Sequence, residues 1–430
     1  MTFFIKTYGC QMNVNDSEKI RHILESRGMR ACPEETGADI VIINSCAVRE
    51  KAQDKIYSYI GRLSGSKKVI VAGCVAQSEK EAILARSPAV DFILGTHQYS
   101  RIESAVDRMV NEQKREVWAG FSREWMELCP DVRSRSSLVS GYISIMEGCN
   151  NFCSYCIVPF TRGREKYRPF EKIVEEAEFL SDRGYRELVL LGQNVNNWRD
   201  PASGKTFPRL LAELSEKTRV RWIRFITSYP GYFDDELIEI MSGHTNIARH
   251  IHFPAQSGST RLLKKMNRSY TRSDYIHIID RFRKQIPEMK FSSDFIVGFP
   301  GESDRDFQLT MSLIRQIEYE SVFSFMYSPR RHAKSSLLDD DVSLEKKRNR
   351  LVELQKNQEE IQLKNNRKLV GRVIEILVTR ENPKKKGEMI GRTESHRVVN
   401  FPSRAQAGEL RRIQIKSAGP HSLRGVVLDD

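Results

Sequence analysis

Tyr142-Ile143-Ser144-Ile145-Met146-Glu147-Gly148-Cys149-Asn150-Asn151-Phe152-Cys153-Ser154-Tyr155-Cys156 reads as an apolar strand running into a polar loop with three cysteines. Their spacing is Cys-x3-Cys-x2-Cys. Three thiolates on one short loop can hold three irons of a cubic [4Fe–4S] cluster and leave the fourth iron open to a small molecule. An open iron implies chemistry, where a fourth cysteine would imply electron storage. A structural zinc site is one alternative. Zinc, however, takes four ligands in paired knuckles; no second Cys-x2-Cys follows, and the nearest downstream histidine is His244. Disulfide pairing is another. The start Met1-Thr2-Phe3-Phe4-Ile5-Lys6 lacks the basic and long apolar regions of an export signal, so the eight cysteines are expected to be reduced.

Outward from this loop, residues 141–365 alternate strand and helix. Strands are expected at Tyr142 to Met146, Glu187 to Leu191, Trp222 to Ile226, His250 to Phe253, Phe291 to Val297 and Val322 to Met326, with helices such as Glu171 to Arg183, Asp234 to Met241 and Arg305 to Ile317. Six such units predict a partial (β/α)6 barrel, with catalytic groups on the loops after its strands. The Cys149 loop follows the first of them.

Residues 1–111 form an earlier β-α series. Phe3 to Lys6, Asp39 to Ile43, Val69 to Ala72 and Asp91 to Leu94 are strand candidates, separated by helices near Asp16 to Arg27, Lys51 to Leu63, Glu79 to Arg86 and Arg101 to Val110. The continuous apolar runs are those of an open parallel sheet covered by helices. Cys10, Cys46 and Cys74 each follow a strand, and the carboxyl ends of parallel strands share one ligand-binding edge. Separations of 35 and 27 residues therefore still allow convergence on a second iron–sulfur cluster, against the alternative of buried small hydrophobes. Cys32 and Cys129 match no such position and read as ordinary cysteines.

Residues 112–140 are polar and aperiodic, a linker in which Trp118, Phe121 and Trp125 can pin the chain to a domain surface. A charged helix from Leu344 to about Lys368 leads out of the barrel. Residues 366–430 then carry short strand-like runs at Arg372 to Val378, Met389 to Thr393, Arg397 to Phe401 and Arg411 to Ile415. They predict a small antiparallel β-barrel of the oligonucleotide-binding type. This piece holds 14 Lys/Arg against 7 Asp/Glu, and the whole chain has a formal net charge of +13, as expected of a partner of nucleic acid. The run Lys384-Lys385-Lys386 is either a phosphate contact or a solvated hairpin tip. No apolar segment of about 20 residues predicts a membrane span.

The cysteine spacing and Tyr155 resemble the radical S-adenosylmethionine (SAM) superfamily. The chain as a whole resembles its methylthiotransferase family. The strings that carry this are Lys6 to Asn13 (KTYGCQMN), Cys149 to Glu165 (CNNFCSYCIVPFTRGRE), His252 to Ser259 (HFPAQSGS) and Asp294 to Glu302 (DFIVGFPGE). The resemblance implies an α/β multidomain enzyme. Its parts would be a methylthiotransferase domain at 1–111, a radical-SAM barrel at 141–365 and a TRAM domain, an RNA-binding β-barrel, at 366–430.

It implies two [4Fe–4S] clusters, one on Cys149, Cys153 and Cys156 and an auxiliary one on Cys10, Cys46 and Cys74. SAM would serve as both radical source and methyl donor. The implied reaction inserts a methylthio group at C2 of N6-dimethylallyladenosine beside a tRNA anticodon, at position 37. Sister activities on a ribosomal-protein aspartate or on threonylcarbamoyl-adenosine are the near alternatives, and a non-catalytic metal-containing RNA-binding protein is the distant one. SAM contacts are expected from Tyr155, Gln193, Asn194, Ser228, Gln256, Ser257, Asp294, Ile296 and Gly298, unless these serve only loop packing. Arg162, Arg164, Lys166 and Arg168 are expected either to grip RNA phosphates or to pair with Glu165 and Glu171. Implied partners are the tRNA anticodon stem-loop, an electron donor such as flavodoxin or ferredoxin, and an iron–sulfur or sulfur donor, with the enzyme a cytoplasmic monomer. In one place the sequence departs from the family: Arg331-His332-Ala333 stands where Pro-Gly-Thr is usual.

Overall fold

The computed structural model describes residues 1–47, 50–63 and 67–428. The amino-terminal part comprises β1 (Thr2–Tyr8), α1 (Gln11–Ser26), β2 (Arg30–Ala31), β3 (Ile40–Ser45), α2 (Glu50–Ile60), β4 (Lys68–Gly73), α3 (Cys74–Glu79), α4 (Glu81–Arg86), β5 (Phe92–Leu94), α5 (Ile102–Val110) and β6 (Glu116–Trp118). Its sheet runs in the order β2-β1-β3-β4-β5-β6, parallel throughout. Every residue of β3 is buried. Ile40 and Ile42 pack toward α1 and α5, while Val41 and Ile43 pack toward α2, α3 and α4. Burial on both faces explains the unbroken apolar run. Strand order reverses between β1 and β3, which opens a crevice at their carboxyl ends.

The helix expected from Glu79 to Arg86 is two short ones, broken at Lys80 with φ +50°. In the expected linker, β6 extends the sheet. Trp118 meets Phe92 edge-on, and Trp125 lies under Lys19. Phe121 makes an edge contact with His97 but remains half exposed.

The central part follows the expected alternation: β7 (Ser140–Ser144), β8 (Met146–Glu147), α6 (Val158–Thr161), β9 (Lys166–Tyr167), α7 (Phe170–Asp182), β10 (Glu187–Leu191), α8 (Phe207–Lys217), β11 (Trp222–Phe225), α9 (Asp235–Gly243), β12 (His250–His252), α10 (Thr260–Lys265), α11 (Arg272–Gln285), β13 (Lys290–Val297), α12 (Asp304–Ile317) and β14 (Ser321–Met326). Its six parallel strands form two three-stranded sheets, β11-β10-β7 and β12-β13-β14, linked by a bridge from Ile223 to Ile247. This is a partial barrel whose outer face buries one large apolar core. Met12 of α1 packs on Val189 and Leu191, so the amino-terminal part is seated on β10.

After α13 (Leu344–Arg367), β15 (Val373–Glu381), β16 (Glu388–Arg392), β17 (Val398–Pro402), β18 (Leu410–Ala418) and β19 (Leu423–Val427) close a small barrel. It is antiparallel except for the β17–β19 pair. The fifth strand, β19, was not expected from the sequence; it contains Gly425, where a Cβ would lie 2.4 Å from Ile413. The turn 393–397 docks this barrel on the central one. Arg224 donates to the carbonyls of Thr393 and Glu394, and Arg397 pairs with Glu320. Among the described residues no helix is long and apolar enough to cross a membrane.

Candidate functional site

The Cys149 loop is closed by a hairpin of β8 and β9. Gly148 makes the turn possible. Its φ is +80°, and a Cβ there would lie 2.2 Å from the Arg164 carbonyl oxygen, so neither the conformation nor the space admits a side chain. The Gly148 N–H donates to Gln193 Oε1 at 2.5 Å. Glu165 ties the loop to the strand that follows, accepting from Asn150 N at 3.2 Å, Asn194 Nδ2 at 3.2 Å and Asn197 Nδ2 at 3.0 Å.

Each sulfur of this loop faces an N–H donor. Arg268 Nη1 lies 3.6 Å from Cys153 Sγ, Val158 N lies 3.4 Å from Cys156 Sγ, and the Asn151 backbone donates to Cys149. Sulfurs posed as acceptors suit thiolate ligands, and such hydrogen bonds tune a cluster's potential. Without a cation, burial pushes the Cys149 and Cys156 thiols up to about 12. These thiols would give up their protons to bind iron, whose positive charge would offset the burial.

The second triad lies at the strand-order reversal. Cys10 follows β1 and caps α1, Cys46 follows β3, and Cys74 follows β4 and begins α3. Gly73 plays the part that Gly148 plays in the loop. Its φ is +91°, and a Cβ would lie 2.3 Å from Asn44 Oδ1 and 2.7 Å from the Ser45 carbonyl oxygen. The Cys10 thiol is lowered to about 6, first by its hydrogen bond with Cys46, then by Arg162 and the N–H groups of Asn13 and Met12 that open the helix. Burial raises Cys74, against the opposing pull of the Arg162 guanidinium.

No group of three His, Cys, Asp or Glu among the described residues is placed to hold a single metal ion. A cluster spreads its irons over the corners of a cube and takes its thiolates farther apart than one tetrahedral zinc does. The polar surroundings fit such a group. Arg162 Nη1 and Asp16 Oδ1 beside the strand triad, and Asn194 Oδ1 and Ser228 Oγ after β10 and β11, are buried without a hydrogen-bond partner.

The segments that carry the two triads pack on one another. Four residues beyond the last loop cysteine would still lie in α6, which packs on α3, the helix that starts with Cys74. Ile157 is buried in the amino-terminal core. The carbonyl oxygens of Thr161 and Arg162 accept from Thr96 Oγ1 at 2.6 Å and His97 Nε2 at 3.0 Å.

Other expected site residues divide by position. Tyr155 and Ile296 pack together with Leu262, Met266, Phe299 and Tyr327. Asp294 lies 3.3 Å from His252 Nε2. Gln256, at φ +68°, bridges to Phe295 beside it. Ser257 is turned to Thr310 and Ser259, and Gly298 donates to Glu302 with its Cα against Lys347. Of the expected RNA contacts, only Arg164 is exposed, stacked on the Phe152 ring at 4.3 Å. Lys166 is half-buried, 3.5 Å from Glu147. Arg168 is buried against Glu127 and Glu176, and Arg162 is buried against Asp16. These two guanidiniums are thereby withdrawn from any surface phosphate.

Sequence reasoning missed Arg268, which is half-buried and also donates to Tyr155 Oη at 3.4 Å and the Pro254 carbonyl at 2.8 Å. No local spacing marks it. At the family departure, His332 holds φ +72° and stacks on Phe160 at 5.7 Å. A histidine thus occupies a left-handed position where the usual glycine is unstrained.

Comparisons with known proteins agree with this layout. Residues 2–95 match a family described as Uncharacterized protein family UPF0004, residues 143–314 the Radical SAM superfamily, and residues 367–428 the TRAM domain. A tRNA-2-methylthio-N(6)-dimethylallyladenosine synthase of Thermodesulfovibrio yellowstonii is 38% identical over 431 residues, covering 99% of this chain and 98% of that protein. Its counterpart in Carboxydothermus hydrogenoformans is 39% identical, covering 99% of each. Among solved structures, the radical SAM methyltransferase TsrM of Kitasatospora setae superposes with a TM-score of 0.52 at 13% identity, over 76% of this chain and 72% of its own. The radical SAM enzyme OxsB also gives 0.52 at 13%, over 84% and 56%. These two likenesses concern the fold.

Proposed function

The chain belongs to the tRNA-2-methylthio-N6-dimethylallyladenosine synthases, and from that premise we propose how its residues divide the work. It is a radical SAM transferase that adds a methylthio group at C2 of N6-dimethylallyladenosine, next to the tRNA anticodon. Its cofactors are two [4Fe–4S] clusters and SAM. When bound, they supply a carbon-centred radical, a sulfur atom and a methyl group.

In our reading Cys149, Cys153 and Cys156 hold the cluster that works with SAM, and Cys10, Cys46 and Cys74 hold the auxiliary one. The observation that carries it is the packing of α6 on α3, which joins the segments that carry the triads, since positioning is the protein's share of cofactor chemistry. Asn194 and Ser228 offer unsatisfied polar atoms after β10 and β11, where SAM's amino, carboxylate and hydroxyl groups need partners. Arg268 holds Cys153 and Tyr155 against the Pro254 loop.

Arg164 at the rim, and the basic carboxyl-terminal barrel, face the anticodon stem-loop, whose unpaired base can be splayed into the site. Arg162 and Arg168 serve the interior instead. Both triads lie in one chain, so a monomer suffices. A flavodoxin or ferredoxin supplies electrons and a separate donor renews the sulfur, in the cytoplasm where the tRNA resides.

Nucleoside mass spectrometry of tRNA from a strain lacking this chain tests the reading. Dimethylallyladenosine should accumulate without its methylthio form. Unchanged methylthio-dimethylallyladenosine, or loss of a modification on threonylcarbamoyl-adenosine or ribosomal aspartate instead, would contradict it.

A further inference from the structure

Arg162 belongs by sequence to the radical-SAM part, six residues beyond Cys156, but its side chain lies in the amino-terminal part. The residue is buried, with its Nη2 on Asp16 Oδ2, and its positive charge acts on both Cys74 and Cys10. Tyr99 donates to the same Asp16 oxygen at 3.3 Å. An arginine that only joined two domains would have its donors matched to acceptors, because an unmatched buried donor is costly. Here Nη1 has no acceptor, and Asp16 Oδ1 has no donor. The guanidinium fork therefore has one prong on aspartate and one prong open, with its charge beside the strand triad.

The backbone around Arg162 is fixed from the same side. Thr96 and His97, from the loop after β5, hold the carbonyls of Thr161 and Arg162. Ser122 in turn holds His97, its N–H 3.0 Å and its carbonyl oxygen 3.1 Å from Nδ1. Three cysteine sulfurs and the Asp16 carboxyl gather here, and Arg162 is a cation that pairs with that carboxyl while its charge acts on Cys10 and Cys74.

We propose that Arg162 is the positioning residue of the auxiliary site: it sets its charge beside Cys74, presents Nη1 to the anionic sulfur held there, and offsets charge that arrives by reduction. This rests on the assignment of Cys10, Cys46 and Cys74 to the auxiliary cluster. Removing the cation makes an electron harder to add, whereas removing the neighbouring anion makes it easier.

The test is redox titration by electron paramagnetic resonance of reconstituted full-length protein carrying Cys149→Ala, Cys153→Ala and Cys156→Ala, so that only the auxiliary signal remains. Arg162→Gln should disfavour reduction at least tenfold, about 59 mV more negative for one electron. Arg162→Lys should recover part of the shift, and Asp16→Asn should move the potential the opposite way. Unchanged potentials, or shifts of the same sign in Arg162→Gln and Asp16→Asn, would reduce Arg162 to a domain link. Should Arg162→Gln fail to fold, Asp16→Asn alone still carries the test, because its positive shift is required. The underlying assignment fails separately: full iron content after Cys10→Ala, Cys46→Ala and Cys74→Ala together would remove it, whatever Arg162 does.

Discussion

Cys149, Cys153 and Cys156 sit on one short loop closed by a hairpin, whereas Cys10, Cys46 and Cys74 come from the ends of three strands in one parallel sheet. The loop triad owes its arrangement to local geometry and the strand triad to the whole fold. Yet the two are built alike in detail. A left-handed glycine precedes one cysteine in each, Gly148 before Cys149 and Gly73 before Cys74. An arginine from outside the segment serves each: Arg268 lies against Cys153, and the charge of Arg162 acts on Cys74. The electrostatics differ: two loop thiols are driven up to about 12, while Cys10, at a helix start, is lowered to about 6. Similar cysteine triads can thus be reached by short-range or long-range routes, with different readiness to ionise.

Removing a ligand from each site separates them most. Cys153→Ala should abolish 5′-deoxyadenosine formation and methylthiolation together. Cys10→Ala should abolish methylthiolation while SAM cleavage persists. Chromatography of SAM products and of tRNA nucleosides reads both, and loss of 5′-deoxyadenosine in Cys10→Ala would break the comparison. Next come the glycines. Gly148→Ala and Gly73→Ala each place a Cβ against backbone or a buried amide, costing about 2 kcal/mol or more. Thermal melts should show similar losses, with cluster absorbance lost only at the altered triad.

Arg268→Gln should slow SAM cleavage about tenfold, the scale of an outer-shell partner, and alter the spectrum of the loop cluster alone. An equal change at the strand cluster would deny the pairing of one arginine with one triad. The mildest probe is alkylation of the metal-free chain followed by peptide mass spectrometry. Cys10 should react first at about pH 7 and slow as pH falls through about 6, where its thiolate takes up a proton. Cys149 and Cys156 should react slowly and accelerate with rising pH, since they stay protonated until about 12.

The loop triad was legible in sequence because its spacing is its geometry. The strand triad was legible once the apolar runs before Cys10, Cys46 and Cys74 were read as parallel strands. Residues that reach a site through tertiary packing were not. Arg268 has no spacing relation to Cys153, and Arg162 and Arg168 looked like part of a surface basic run because nothing local announces the buried Asp16 and Glu176 that claim them. The edge strands β2 and β6, of two and three residues, were too short to show a period.

The central claim is that one chain holds two separable clusters. Anaerobic iron and sulfide analysis with Mössbauer spectroscopy tests it directly on the wild type and on the two triple cysteine-to-alanine variants. About eight irons per wild-type chain and about four in each variant are expected, all as [4Fe–4S]. Zinc in place of iron, or one triple variant retaining the full wild-type iron, would contradict it.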